Sequence, residues 1–230
     1  MRLAIIVPTL NEAAQIESAL AQLSELRARG AHVVVVDGGS VDGTAVRAAA
    51  GADQIVNAPR GRALQMNAGA RATAAQDADV LLFLHADTRL PPDADRIIAR
   101  ALANSPRVWG RFDVSIESES RWLNGVAWLM NWRSRATGIC TGDQAIFVTR
   151  GAFLALDGFA PIALMEDIEF SRRARRLSPP LALAERATTS GRRWQRGGVW
   201  RTILLMWRLR LAYFFGADPN ELARRYRDAR

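Results

Sequence analysis

Four short apolar runs, each closed by a polar or glycine-bearing cluster and separated by helix-like stretches, fill the first ninety residues and restrict the fold more than any other feature. Leu3 to Val7 is a β-branched run ending at Pro8-Thr9-Leu10-Asn11-Glu12, and Val33 to Val36 ends at Asp37-Gly38-Gly39-Ser40. Gln54 to Asn57 is a weaker third run, and Val80 to Leu84 leads into His85-Ala86-Asp87-Thr88. Runs this short and this apolar are strands covered on both faces. Between them, Ala13 to Ala28 carries Ile16, Leu20, Leu23 and Leu26 on one approximate stripe, Asp42-Gly43-Thr44 opens a second helix, and Gly61 to Ala75 reads as a third. Thr9 and Glu12 have capping-box spacing, with Asn11 as a further cap. Alternating units of this kind predict an α/β fold: a mostly parallel, mixed, Rossmann-like sheet with helices on both faces. Ligands of such sheets bind beyond the carboxyl ends of the strands, which is where the polar clusters fall.

The second half is less regular. Arg107 to Ile116 and Gln144 to Thr149 read as strands, Arg121 to Arg135 as a tryptophan-rich helix, and Met165 to Leu177 as a helix with acids first and arginines last, as the dipole prefers. Pro179-Pro180 breaks that helix, and Val199 to Phe215 and Pro219 to Tyr226 come next as helices either side of Gly216. No repeat or linker divides the chain. It is read as one domain, 1–230, with a ligand-binding half at 1–105, a second half at 106–185, and a basic loop and helices at 186–230.

Absences remove whole chemistries. All 31 basic residues are arginine, so a Schiff-base lysine, a P-loop lysine and a lysine general base are excluded. One cysteine, Cys140, allows neither an internal disulfide nor a cysteine-based zinc site, and reads as a packed thiol. His32 and His85 are too few for a histidine metal centre. Carboxylates, arginines, hydroxyls and a bound metal remain. No signal peptide opens the chain and the apolar segment from Val199 is interrupted by Arg201, Arg208 and Arg210, so a cytoplasmic location is expected.

Asp37 and Asp87 each come directly after a buried strand. Alone, each reads best as a turn or cap acid, although a carboxylate at a strand's open end also suits a hard divalent cation carrying diphosphate. His85 reads as a shaping residue. Glu169 reads as a helix-dipole partner, whereas Asp167, where a loop meets a helix, could be a general base. Taken in order, Pro8-Thr9-Leu10-Asn11-Glu12, Asp37-Gly38-Gly39-Ser40, Asp87 after an apolar strand, and Glu166-Asp167 resemble the family 2 glycosyltransferases. Gly61 through Asn67-Ala68-Gly69, and Gly142 through Phe147 and Arg150 to Gly158-Phe159, agree, so the likeness covers roughly residues 3 to 175. The Leu84-His85-Ala86-Asp87-Thr88 form and the length resemble a small bacterial subgroup often associated with arsenosugar-type or radical-enzyme gene neighbourhoods.

The resemblance implies a GT-A fold and an inverting transfer of a sugar from a nucleotide diphosphate, UDP foremost, to a hydroxyl acceptor that the sequence does not identify. It implies a nucleotide-sugar pocket formed by Pro8, Thr9, Leu10, Glu12, Asp37, Gly38, Gly39, Arg62, Asn67, His85 and Ala86, with Asp37 accepting from the base. Asp87 would hold Mn2+ or Mg2+ on the diphosphate. Asp167 would be the catalytic base, with Glu166 as alternate and Arg193, in Ser190-Gly191-Arg192-Arg193-Trp194, in support. The family's usual first aspartate is His85 here, a departure that leaves the ribose or metal contact made there unassigned. Gly142, Asp143 and Gln144 fall on the acceptor side, where a structural turn is the competing reading.

From Arg186 to Arg230 there are eleven arginines against Asp218, Glu221 and Asp228. With Trp200, Trp207, Phe214 and Phe215, that region suits peripheral contact with the inner membrane face, packing against the rest of the chain, or self-association as a homodimer. Most tryptophans, including Trp122, Trp128 and Trp132, are expected in the core. Two other readings are a non-catalytic nucleotide-sugar-binding protein and a basic domain for nucleic acid or membrane surfaces. No nucleic-acid recognition motif appears, so no such partner is expected.

Overall fold

A computed structural model describes residues 1–74, 77–118, 120–191 and 198–228. Eight strands form one mixed sheet: β1 (Leu3–Thr9), β2 (His32–Asp37), β3 (Gln54–Asn57), β4 (Val80–Phe83), β5 (Thr88–Arg89), β6 (Trp109–Glu117), β7 (Phe147–Thr149) and β8 (Leu181–Ser190). Their spatial order is β3-β2-β1-β4-β7-β6-β8-β5. The first four are parallel, with Val7 opposite Val35 and Ile5 opposite Leu82. Chain order reverses between β1 and β4, and a crevice opens at such a switch point.

Ten helices surround the sheet among the described residues. The first five are α1 (Ile16–Ala21), α2 (Ser24–Ala28), α3 (Thr44–Ala48), α4 (Arg62–Ala74) and α5 (Ala94–Ala103). The others are α6 (Arg121–Thr137), α7 (Arg150–Ala155), α8 (Glu166–Ala174), α9 (Val199–Phe214) and α10 (Pro219–Asp228). Strand alternation divides the core in two. Leu3, Ile5, Val7, Val33, Val35 and Leu82 face α1 and α2, with α3 giving Ala48 and α5 giving Ala94 and Ile98. Ala4, Ile6, Val34, Val36, Leu81 and Phe83 face the other way, onto α4, α7 and α8. Close approach on this second face requires Gly69 of α4, where a Cβ would lie 2.5 Å from Ile6 Cγ2.

Several elements depart from the sequence reading. The stripe from Ile16 to Leu26 is buried as expected, but the helix breaks at Gln22-Leu23, where Leu23 N–H donates to Leu20 O. Thr9 caps nothing: it ends β1, and Thr44 Oγ1 accepts from Glu12 N–H instead. The expected strand from Gln144 shortens to β7, because Gly142–Gln144 forms a 3-10 turn. β5 and β8 have no counterpart in the sequence reading. β8 has little local strand character and is fixed by parallel pairing with β6, across a bulge between Phe112 and Asp113.

α9 and α10 pack through Leu209 and Leu222 onto Met165. The C-terminal helices are thus built into the body of the molecule. The tryptophans of α6 contradict the core expectation, with Trp122 at 68%, Trp128 at 66% and Trp132 at 57% exposure. Among the described residues, no helix is long and apolar enough to cross a membrane.

Candidate active site

The switch-point crevice opens into a cleft of about 520 Å3. Pro8, Thr9, Leu10 and Glu12 line one wall, as their place at the end of β1 requires, and His85, Ala86 and Asp87 continue it from the end of β4. Arg62 and Gln65 come from α4, Leu164 from the loop before α8, Glu166 from its first residue, and Asn220, Ala223 and Tyr226 from α10. Behind the wall, the buried amide of Gln65 donates to Thr9 O and Val36 O, both at 2.8 Å, and so joins the ends of β1 and β2. Asn11, at φ 55°, accepts from Val41 N–H and donates its own N–H to Ser40 Oγ, tying the two strand-end loops together.

Asp37 is one step removed from this lining. Its buried carboxylate accepts from Gly39 N–H at 3.0 Å, Ser40 N–H at 2.8 Å and the Ser40 hydroxyl at 2.5 Å. It organises its own turn, beside Thr9 in strand register. Gly38 backs onto Gln65, 3.0 Å from where a Cβ would stand, and Gly39 holds φ 89°. Asn67 also faces away from the cleft: its amide donates to Phe159 O at 2.7 Å and accepts from Phe159 N–H at 2.9 Å.

Glu166 and Asp167 of α8 border a smaller hollow of about 60 Å3, which shares Arg62, His85, Leu164, Glu166 and Tyr226 with the cleft. Asp87 borders the cleft and Asp167 the adjoining hollow, so the two carboxylates lie on neighbouring spaces divided by these shared side chains. Asp167 accepts from Gly142 N–H at 3.0 Å and Ile168 N–H at 2.7 Å, which orients its carboxylate. Glu166 is buried and pairs with Arg62 at 3.2 Å. Burial pushes the Glu166 carboxyl up, against the pull of Arg62, and Asp167 adds to the rise. Burial pulls the Arg62 guanidinium down, but Glu166, Asp167, Asp143 and Tyr226 together hold it above its ordinary value.

His85 Nδ1 lies 3.3 Å from Asp143 Oδ1. Gly142 is needed behind that ring, since a Cβ there would overlap His85 Cε1 and Nε2. Asp143 borders the small hollow, whereas Gln144 is buried, accepting from Thr141 N–H and donating to Asn131 Oδ1. Of the three acceptor-side residues, Gln144 serves the loop. Cys140 is the packed thiol expected, with burial pushing it up to about 11. Arg193 lies outside the described residues.

Three contributors escape the sequence reading. Arg133 on α6 and Arg210 on α9 line a hollow of about 100 Å3 on the far side of Asp87, and Tyr226 walls the main cleft. Arg133 sits among tryptophans whose spacing suggests core, and no local pattern announces the other two. Asp87 is half-buried and borders the cleft, this hollow and a further one of about 400 Å3 beside α1. Among the described residues, no group of three or more histidines, cysteines or acids is arranged to hold a metal ion. Asp87 alone, facing the cleft, would offer one hard oxygen donor of the kind a divalent cation takes.

The described architecture agrees with known structures. S. aureus TarS, solved with UDP, aligns at TM-score 0.65 and 16% identity over 83% of this chain and 60% of that one. A mannosyltransferase from Pyrobaculum calidifontis, solved with GDP-Man and Mn2+, aligns at TM-score 0.60 and 26% identity over 81% and 56%. Glucosyl-3-phosphoglycerate synthase from Mycobacterium tuberculosis, solved with Mn2+, UDP and glucosyl-3-phosphoglycerate, aligns at TM-score 0.59 and 20% identity over 82% and 70%. The chain spans less than two thirds of the first two. No curated protein sequence matches it. The model of Glycosyl transferase family 2 matches residues 4–157, more than half of the chain, and these two lines of likeness lead to one conclusion: the protein belongs to glycosyltransferase family 2, on a GT-A-type α/β fold.

Proposed function

We propose that the chain transfers a sugar, with inversion, from a nucleoside diphosphate to a hydroxyl acceptor. The observation that carries this reading is the placement of Asp87 on the switch-point cleft and of Asp167 on an adjoining hollow that shares Arg62, His85 and Glu166 with it. The nucleotide would lie along Pro8 to Glu12, with the Asp37 turn behind, and the diphosphate would point toward Asp87 and Arg62. UDP is the favoured nucleotide, the ligand named for TarS and for the synthase, although GDP-Man is named for the mannosyltransferase. The narrower likeness to an arsenosugar-associated subgroup rests on Leu84 to Thr88 and adds nothing about donor or acceptor.

Asp87 would hold Mn2+ or Mg2+, which supplies Lewis-acid neutralisation of the charge growing on the diphosphate. Arg62 adds fixed positive potential to the same region, and its pairing with buried Glu166 holds it in place. Asp167, oriented by two backbone N–H groups, takes the proton of the attacking hydroxyl. Glu166, already paired and buried, is better suited to hold Arg62 than to accept that proton.

Calorimetry with UDP, with and without Mn2+, tests the donor half of the proposal. Wild type should bind UDP with a Mn2+-dependent gain, and Asp87→Ala should lose that gain while remaining folded. Equal UDP affinity with and without metal in both proteins removes Asp87 from the role, and absence of UDP, GDP or dTDP binding by wild type overturns the donor assignment.

A further inference from the structure

The hollow between α6 and α9 has the construction of a ligand site. Its sides are apolar, with Val126, Leu129 and Met130 facing Ile203, Met206 and Trp207, and Asp87 and Asp143 border it toward the cleft. Two cations line it as well. Nε and Nη2 of Arg133 and Nε of Arg210 are buried with no hydrogen-bond partner among the described residues. Burial and then the neighbouring Arg210 pull the Arg133 guanidinium down to about 10, so it remains a cation at neutral pH. Buried N–H donors of a charged group left unpaired are costly, and an anion between the two guanidinium groups relieves both the missing bonds and the like-charge repulsion.

The walls continue onto the surface. Leu129 and Trp207 line the hollow and are also exposed, as are Trp122 on α6 and Trp200, Leu204 and Phe214 on α9. Trp122 and Trp200 bridge the two helices, with ring centroids 5.7 Å apart. Large apolar side chains exposed together at the mouth of a hollow mark an interaction surface. Exposed Arg201 and Arg208 of α9, next in sequence to exposed Trp200 and Trp207, give an aromatic-and-arginine surface complementary to an anionic bilayer.

We propose that the acceptor is an anionic amphiphile taken from a membrane surface: the phosphate of its hydroxyl-bearing headgroup lies against Arg133 and Arg210, and its apolar chain leaves between α6 and α9. Its role as acceptor rests on the glycosyltransferase reading; its binding does not. In the transfer, the headgroup oxygen bonds to the anomeric carbon as the bond from that carbon to the diphosphate breaks. The hydroxyl proton passes to Asp167, and the electron pair leaves with the nucleoside diphosphate.

Calorimetry with dodecyl phosphate below its micelle concentration tests the site, with inorganic phosphate and dodecyl maltoside as controls, alongside UDP plus Mn2+ on the same proteins. Dodecyl phosphate should bind more tightly than either control. Arg133→Gln and Arg210→Gln should each weaken it roughly tenfold or more, with UDP affinity unchanged and thermal unfolding no lower than wild type. Inorganic phosphate binding as tightly as dodecyl phosphate overturns the apolar channel. Loss of UDP affinity with dodecyl phosphate affinity intact gives the arginines to the donor and overturns the proposal, as does no binding of dodecyl phosphate. Failure of UDP binding alone counts against the donor reading and leaves the amphiphile site standing. The full chain should also float with phosphatidylglycerol–phosphatidylcholine vesicles and not with phosphatidylcholine alone; no flotation with either overturns the membrane source.

Discussion

The β1–β4 side of the molecule and the α6–α9 side are built by different rules. On the first, Pro8 to Glu12 and His85 to Asp87 lie at the ends of strands whose apolar runs are visible locally, so position in the chain dictates position in the cleft. On the second, Arg133, Arg210 and the exposed tryptophans acquire their places only when α9 packs against Met165 and α6 lies beside it. A site half made by strand ends is tolerant of where the rest of the chain goes. One made between two late helices depends on long-range packing, and that packing is free to vary while the donor cleft stays the same.

The largest expected effect lies where the two regions meet. Asp167→Asn should lower the transfer rate by about 100- to 10,000-fold, the range of a lost general base, with UDP affinity unchanged by calorimetry. A fall in UDP affinity with turnover preserved would move Asp167 from the chemistry to the donor wall. Gly142→Ala comes next. Its Cβ would push on the His85 ring and should lower stability by about 1–3 kcal/mol in chemical unfolding, as overpacking does. An unchanged midpoint would show that the ring is free to move.

Glu166 gives a smaller, pH-dependent signal. Its folded carboxyl stands above the ordinary value of 4.5, so folding favours its protonated form. That contribution is whole below about pH 4.5 and is lost as pH rises through the higher folded value. Glu166→Gln has no such titration, so its melting temperature should gain on wild type as pH goes from about 4 to about 7. A constant difference across that range would show an ordinary carboxyl. The smallest effect is expected at Trp128→Ser, within about 0.5 kcal/mol of wild type, because the side chain is exposed. A loss of about 3–5 kcal/mol, the cost of emptying a core aromatic site, would mean that the α6 face is covered in solution.

Legibility in the sequence divides along the same line. Leu3–Val7, Val33–Val36 and Val80–Leu84 announce the parallel sheet, and the polar ends of these runs locate the cleft. Asp37 is legible as a residue near the site, yet its hydrogen bonds go to its own turn, the plain reading of an acid before two glycines. Asn67 likewise ties α4 to Phe159. β8 is illegible because Leu181 to Ser190 owes its extended form to β6, a partner more than sixty residues earlier. The tryptophans of α6 mislead because their spacing resembles a core stripe, while exposure depends on whether a second layer covers them.

One carboxylate, Asp87, is a common post for three separate hollows, and this has a kinetic consequence. Until its charge is compensated, it repels any anion arriving from either side. A nucleotide that comes with its own counter-cation removes that repulsion for whatever enters next. Under the proposed function, nucleotide and cation bound first should therefore tighten binding of the second, anionic reactant, an order that is favoured and not obligatory.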